Sequence, residues 1–321
     1  MSGRGGAAAM RGRRLLRDWP AGVLALLLLA LVGAIEAVFP GTVSPGWVSN
    51  AMLFAAPLGI LAASQTLVLL TGGIDLSVSA VATAAAYLLA TNAAYGTGSA
   101  LGIAAAAGLA IGLLNGLGVA LFGVQPLVMT LGTALMAGGL LTIYAQWAVA
   151  RLPHIPGFIQ ALGAGKVAGY VPIDLLLWAP LTVAIVLGLA RTGFGRLLYA
   201  VGDNREACRL AGVRVWQVLL AAYVLAGLLA ALAGLVLVGS TNAADLGLAN
   251  VYLLPSIAAA IVGGTSIFGG RGGYGGTVVG TLILTVLNSL LTLLDAPEPI
   301  KQVLYGAIIL GLAAAYARLA D

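Results

Sequence analysis

Long apolar stretches alternate with short polar connections along almost the whole chain. A helix that crosses a bilayer needs roughly 20 mostly apolar residues, because each residue rises about 1.5 Å across a hydrocarbon core about 30 Å thick. Ten segments approach this length: 20–39, 48–70, 78–94, 100–122, 127–150, 175–190, 215–240, 252–268, 274–294 and 301–319. The pattern therefore predicts an all-α polytopic membrane protein with about ten transmembrane helices.

The composition agrees with lipid as the main solvent. Of the 321 residues 61% are hydrophobic and 8% are charged, whereas about a quarter of a soluble globular protein is charged. The same figures exclude a wholly disordered chain, and the 46 glycines follow no three-residue period, which excludes collagen. With one cysteine, Cys208, and one histidine, His154, the chain is expected to hold no internal disulfide and no Cys- or His-based metal site.

Positive charges are sorted to one side of the predicted membrane. With the N-terminus inside, twelve of the 15 Lys and Arg residues fall in inner loops, and the outer loops hold Arg151, Lys166 and Lys301. This positive-inside pattern predicts cytoplasmic N- and C-termini and accounts for the net charge of +5 without nucleic-acid binding. Residues 1–18, rich in Gly and Arg, are expected to form a disordered basic cytoplasmic N-terminus, followed by one transmembrane domain over residues 19–321.

The first interruption of the apolar pattern is the segment 71–77, Thr-Gly-Gly-Ile-Asp-Leu-Ser, which we call the first break. A charged side chain in a membrane is costly, so Asp75 must reach an interface, line a cavity or find a partner. One interpretation is a turn in which Asp75 or Ser77 caps the next helix. The other is a broken helix beside a translocation path, where water or protein satisfies the irregular backbone. The two interpretations are compatible.

The second interruption is the glycine-rich segment 261–276, the second break, through which a regular helix is not expected. It contains no GxxxxGK[ST] motif, so we expect no ATP hydrolysis by a Walker mechanism on this chain. Pro57 and Gly72 lie 198 residues before Pro255 and Gly270, which hints at duplicated halves.

The third interruption is the predicted cytoplasmic loop 191–214, which contains the signature of a short helix. Asp203 and Glu206 have the spacing of a capping box, and Gly212 is placed to end the helix. The apolar stripe consists of Ala207, Leu210 and Ala211. Because so short a helix is marginal in water, its stripe requires a partner surface, either on this chain or on another protein.

At these three interruptions the chain resembles the permease subunits of carbohydrate-uptake ABC transporters, specifically the ribose-type branch of the family that includes branched-chain amino-acid permeases. The strongest stretches of the resemblance are 71–77, 192–212 and 263–280. The segments 112–116 and 130–133, with Gln302 and Gly306, add the same spacing.

The resemblance implies a pair of permeases, expected to be a homodimer, in the lipid of a bacterial inner membrane. Two cytoplasmic ABC ATPase subunits would bind ATP and Mg²⁺, an extracytoplasmic solute-binding protein would deliver the substrate, and this chain would bind no cofactor. The implied ATPase-coupling residues are Gly202, Asn204, Glu206, Ala207, Leu210 and Gly212. The expected residues of the translocation path are Gly72, Gly73, Asp75, Ser77, Asn115, Thr130, Gly263, Gly264 and Thr265.

The expected function is therefore that of a non-enzymatic permease subunit of an ATP-driven importer for a monosaccharide. Branched-chain amino acids, nucleosides or an autoinducer are alternative substrates within the same family. An ion-coupled secondary transporter using Asp75 and Glu36 is a different class, and the scarcity of other mid-membrane acids argues against it. A membrane-embedded enzyme is not expected, because no nucleophile is paired with a base.

Overall fold

The computed structural model describes residues 20–148 and 154–320, so the predicted disordered segment 1–18 lies outside the described residues. Within that part of the chain there are thirteen α-helices and a two-stranded hairpin. The helices are α1 (Pro20–Val38), α2 (Pro45–Leu70), α3 (Val78–Asn92), α4 (Thr97–Ala120), α5 (Pro126–Trp147), α6 (Gly157–Ala164), α7 (Ile173–Arg191), α8 (Gly193–Asp203), α9 (Arg205–Leu210), α10 (Val215–Thr241), α11 (Leu253–Val262), α12 (Tyr274–Leu293) and α13 (Glu298–Ala320). Strand β1 (Lys166–Val167) pairs with β2 (Val171–Pro172), and 3-10 turns cover Ala93–Tyr95 and Asn250–Tyr252.

The all-α polytopic class is confirmed. Seven helices of the described residues are long and apolar enough to cross a membrane: α2, α3 with its 3-10 extension, α4, α5, α7, α10 and α12. Two shorter apolar helices cover Gly22–Val38 and Asn250–Val262. Each of the ten predicted segments overlaps a helix, but the segment 252–268 is wrong in its second half. Helix α11 ends at Val262, and Gly264 follows with a φ of +90° that a continuous helix does not accept.

Helix α10 forms the centre of the bundle and packs against α2, α3, α4 and α6. Its closest neighbour is α4, whose glycines at positions 108, 112 and 116 face it. A Cβ atom at Gly112 would lie 2.6 Å from the carbonyl oxygen of Tyr223, and one at Gly108 would lie 2.6 Å from that of Gly227. The glycine face therefore allows backbone-to-backbone approach, which is how helices gain packing energy in lipid.

Helix α6, the hairpin and α8 were not predicted from hydropathy, because they are too short or too amphipathic to give a long apolar segment. Helix α6 and the hairpin fill the connection before α7, and the hairpin turns through Ala168 and Gly169, whose φ values of +52° and +78° match a type I′ turn. Helix α8 occupies the first half of the loop 191–214. Thr192 caps it by accepting the Gly195 N–H at 3.1 Å, and its buried face includes Leu198 and Val201.

The predicted short helix of the cytoplasmic loop exists as α9, but the capping-box assignment is wrong. Asp203 is the last residue of α8, and the N-cap of α9 is Asn204, whose Oδ1 accepts the Ala207 N–H at 2.8 Å. At the other end Gly212 has a φ of +81°, with Gly212 N–H bonded to the Arg209 carbonyl and Val213 N–H bonded to the Cys208 carbonyl. This is the Schellman pattern, in which a left-handed glycine ends a helix.

Candidate translocation and coupling site

The first break begins as a regular helix end. Gly72 has a φ of +75°, Gly72 N–H donates to the Leu69 carbonyl at 2.8 Å, and Gly73 N–H donates to the Val68 carbonyl at 3.1 Å. These bonds satisfy two carbonyls at the end of α2 and turn the chain toward Asp75. Gly73 is also needed for space, since a Cβ atom there would lie 2.7 Å from the Tyr223 hydroxyl.

Asp75 is buried, with 2% of its surface exposed, and it holds the turn together. Its Oδ1 accepts the Ser77 N–H at 2.8 Å and the Ser77 hydroxyl at 2.6 Å. The side chain of Gln65 donates from Nε2 to the Asp75 carbonyl at 2.7 Å. The sequence predicted that Asp75 or Ser77 would cap the next helix. The Asp75 carboxylate instead stabilises the turn, and the Ser77 side chain makes no capping bond to α3.

A chain of buried hydrogen bonds connects this turn to α4 and α5. Asn115 Nδ2 donates to Ser77 Oγ at 2.8 Å, and Thr133 Oγ1 donates to Asn115 Oδ1 at 2.6 Å. Thr130 Oγ1 accepts the Leu76 N–H at 3.0 Å and donates to the Pro126 carbonyl at 2.9 Å. The first break is thus tied by side chains to two neighbouring helices, because polar groups in an apolar bundle must find partners within the protein.

The second break is anchored to α2 and α12 in a similar way. Thr277 on α12 lies 2.9 Å from Thr66 and 3.4 Å from Thr265, measured between the hydroxyl oxygens. Gly263 packs directly on α12, where an added Cβ atom would lie 2.5 Å from the Gly276 carbonyl carbon. Gly264 supplies the left-handed residue that ends α11.

Two adjacent residues of α2 contact the two breaks. Gln65 bonds to Asp75 in the first break, and Thr66 bonds to Thr277, which in turn contacts Thr265 in the second break. Sequence reasoning missed both, along with Thr133 and Thr277. The available signal was a polar side chain within an apolar helix, which requires a bonding partner. Because the residues that bond to one another come from different helices, the sequence could show that partners exist but not which ones they are.

The structure places the predicted path residues in two groups beside α2. The hydrogen bonds around the first break, which we call the first network, include Asp75, Ser77, Asn115 and Thr130. The hydroxyl contacts around Thr277, which we call the second network, include Thr265. All five predicted residues are buried. The glycines at positions 72, 73, 263 and 264 form the turns. A largely apolar cavity of about 290 Å³ lies between α3, α4 and α5, and Thr133 at the end of the first network lines it. That these groups line a translocation path stays a prediction.

The predicted coupling residues lie on and around α9. Helix α9 has no buried residue, and Leu210 is 79% exposed, so the apolar stripe does not pack on the described part of this chain. Glu206 forms a bidentate pair with Arg209, whose Nη2 donates to Oε1 at 2.6 Å. Arg209 lowers the pKa of Glu206, mainly by hydrogen bonding, so the carboxylate is charged at neutral pH. The result is an exposed apolar surface beside two fixed charges.

Gly202 differs from the other predicted coupling residues. It lies near the end of α8, where it packs against the main chain rather than facing solvent. An added Cβ atom would clash with the Leu70 carbonyl oxygen and lie 2.6 Å from the Gly270 nitrogen. The coupling segment therefore contains an exposed part, α9, and a packed part at the end of α8.

Bacterial import permeases resemble this chain over most of its length. The chain is 35% identical to a ribose import permease protein of Bacillus subtilis, with 88% of each chain covered. It is 33% identical to a fructose import permease protein of Rhizobium meliloti, over 93% of this chain and 85% of the relative. It is also 31% identical to an autoinducer 2 import system permease protein of Klebsiella pneumoniae, over 92% of this chain and 90% of the relative.

The comparison with solved structures gave no match. The family model described as branched-chain amino acid transport system / permease component matches residues 47–313, a range that runs from α2 into α13 and includes both breaks and α9. The chain belongs to this family of transport-system permease components.

Proposed function

We propose that this chain is the permease subunit of an ATP-driven ABC importer for a monosaccharide. Two copies would assemble in the bacterial inner membrane with both termini in the cytoplasm. A cytoplasmic ATPase would hold ATP and Mg²⁺, and an extracytoplasmic binding protein would deliver the sugar. The observation that carries the proposal is α9, a capped helix whose apolar stripe is exposed although its preceding helix is packed into the bundle.

An exposed Leu on a helix of six residues has a physical cost that a partner removes. Isolated helices of this length are marginal in water, so α9 depends on its two caps, Asn204 and Gly212. Burying Leu210 in a partner would contribute roughly 1.5–3 kcal/mol. The Glu206–Arg209 pair next to it offers one charge of each sign and would orient the contact. These features suit docking into a groove of an ATPase.

The sugar assignment is supported by the names of the relatives, which include ribose and fructose import permeases. Because an autoinducer 2 import permease is similar to this chain at nearly the same identity, autoinducer 2 is the alternative substrate. Ion coupling is less well supported by the two acids considered for it. Both oxygens of Glu36 accept main-chain N–H groups, from Gly41 at 2.8 Å and Val43 at 2.9 Å, and Asp75 is engaged by Ser77. Both carboxylates therefore already have structural roles.

The test is co-expression with the neighbouring ATPase and binding protein, followed by reconstitution into liposomes. We expect a stable complex and uptake of labelled ribose or fructose that needs both ATP and the binding protein. Uptake that collapses with an ionophore at constant ATP would instead indicate a secondary transporter. Absence of a complex together with absence of ATP-dependent uptake would contradict the proposal.

A matched pair of variants tests the docking helix separately. Leu210→Glu places a charge on the exposed stripe and should remove the ATPase from the purified complex. Leu246→Glu makes the same change at an exposed leucine far from α9 in sequence, 42% exposed, and should leave the complex intact. Equal retention of the ATPase by both variants would show that the stripe is not the docking surface.

A further inference from the structure

Three segments that are distant in sequence meet at the end of α2. They are the end of α2 with its cap (residues 70 and 71), part of the second break (residues 269–272), and the end of α8 with the start of α9 (residues 199–205). We call this meeting point the junction. It joins the helix that is proposed to dock the ATPase to both irregular segments of the membrane domain.

The junction supplies hydrogen-bond donors to the C-terminal end of α2. A helix leaves its last carbonyls without internal partners, and these carbonyls carry the negative end of the helix dipole. Val68 and Leu69 are satisfied by the glycine turn, as described above. The next carbonyl, on Leu70, accepts the Gly270 N–H at 3.0 Å, and the one after it, on Thr71, accepts Nη2 of Arg205 at 2.8 Å. The second break and the coupling segment each supply one of the missing donors.

The main chains of the three segments pack closely against one another. A Cβ atom at Gly269 would lie 2.7 Å from the Gly202 carbonyl oxygen and 2.9 Å from the Gly72 nitrogen. One at Gly270 would lie 3.0 Å from the Asp203 Cα. Tyr199 adds a side-chain tie, because its hydroxyl donates to the Gly272 carbonyl at 2.9 Å. Main chains this close leave no space for a side chain between the segments, and packed interiors transmit displacement rather than absorb it.

Arg205 and Arg209 illustrate two different tasks on one short helix. The guanidinium of Arg209 bonds to Glu206, where both side chains are more than 60% exposed. The guanidinium of Arg205, at the first position of α9, instead bonds the Thr71 carbonyl just after α2, although Arg205 itself is exposed. Its donor is charged and its acceptor is at a helix C-terminus, the pairing that is strongest for such an end.

We propose that Arg205 is a positioning residue that transmits movement of α9 to both breaks through the junction. The proposal rests on the proposed function, in which the ATPase moves α9. A displacement of α9 pulls the end of α2 through Arg205, and the second break follows through Gly270 and Tyr199. The two breaks therefore move as one unit with the coupling helix.

The experiment measures ATP hydrolysis by the reconstituted complex with and without the sugar-loaded binding protein. For Arg205→Ala we expect the ATPase to co-purify, while the ratio of stimulated to basal hydrolysis and the uptake rate both fall by about fivefold or more. Arg205→Lys, which keeps a charged donor, should recover at least half of the wild-type ratio. Arg196→Ala removes a cytoplasmic guanidinium whose contact is the exposed Arg191 carbonyl at 3.5 Å, and should keep the ratio near that of the wild type.

Tyr199→Phe keeps the test decisive if Arg205→Ala does not accumulate, because it removes only the hydroxyl bonded to Gly272. Its ratio should fall by about twofold or more. An unchanged ratio in Arg205→Ala or Tyr199→Phe would overturn the proposal, as would loss of the ATPase from the Arg205→Ala complex, which would make Arg205 a docking residue. A wild-type complex without ATP-dependent uptake would overturn the proposed function itself, whereas normal wild-type uptake with a fully active Arg205→Ala variant would overturn this inference alone.

Discussion

Asn115 lies within the first network, between Ser77 and Thr133. Its amide donates to Ser77 Oγ and accepts from Thr133 Oγ1, so it links the first break to α5, and 1% of its surface is exposed. Replacing Asn115 with Ala removes both bonds at once. Neither hydroxyl is left entirely without a partner, because Ser77 Oγ still donates to Asp75 and Thr133 Oγ1 still reaches the Thr130 carbonyl at 3.1 Å.

The expected loss of stability follows from these two bonds. A hydrogen bond contributes about 1 kcal/mol in soluble proteins and about 0.6 kcal/mol between membrane helices. Two bonds therefore predict a loss of about 1–2 kcal/mol for Asn115→Ala, before the emptied volume is added. At roughly 2 °C per kcal/mol for a large domain, the apparent Tm should fall by about 2–4 °C or slightly more.

The assay is the fraction of monodisperse protein recovered from detergent after heating. Asn250→Ala is the matched control, since that side chain is exposed and should melt like the wild type. A double-mutant cycle with Thr133→Val isolates the bond between Asn115 and Thr133 and should give a coupling energy of about 0.5–1 kcal/mol. Equal melting of Asn115→Ala and the control, or full additivity in the cycle, would refute the network as a source of stability.

Three further predictions concern packing, coupling and the first break. Gly112→Ala should lower the apparent Tm, because its Cβ would meet α10 and overpacking costs about 1–3 kcal/mol. Gly102→Ala is the control and should not lower it, since nothing lies within 4 Å of an added Cβ there. Equal melting of the two variants would contradict the prediction. Glu206→Arg should abolish stimulated ATPase at normal yield; wild-type stimulation would exclude the docking role. Asp75→Ala should reduce membrane yield or uptake; normal values of both would show the carboxylate to be incidental.

Local patterns predicted a large part of this architecture. The ten apolar segments each overlap a helix. The ends of the helices were harder to predict from the sequence. Asn204 rather than Asp203 caps α9, because Asp203 is the last residue of α8. Helix α8 itself was missed, since its buried face occupies only one side of eleven residues in a charged loop.

Three properties could be determined from the sequence by itself. They are the membrane class of the protein, the positions of its apolar helices, and the positions at which those helices are interrupted. These properties depend on hydropathy, charge and glycine content, which are sums over neighbouring residues. Only the tertiary structure decided which polar groups meet. Arg205 and the Thr71 carbonyl are 134 positions apart, and their contact exists because helix packing brings the end of α2, the second break and the coupling segment to one point. Partners of buried polar groups are set by packing geometry, and packing geometry is a property of the whole bundle.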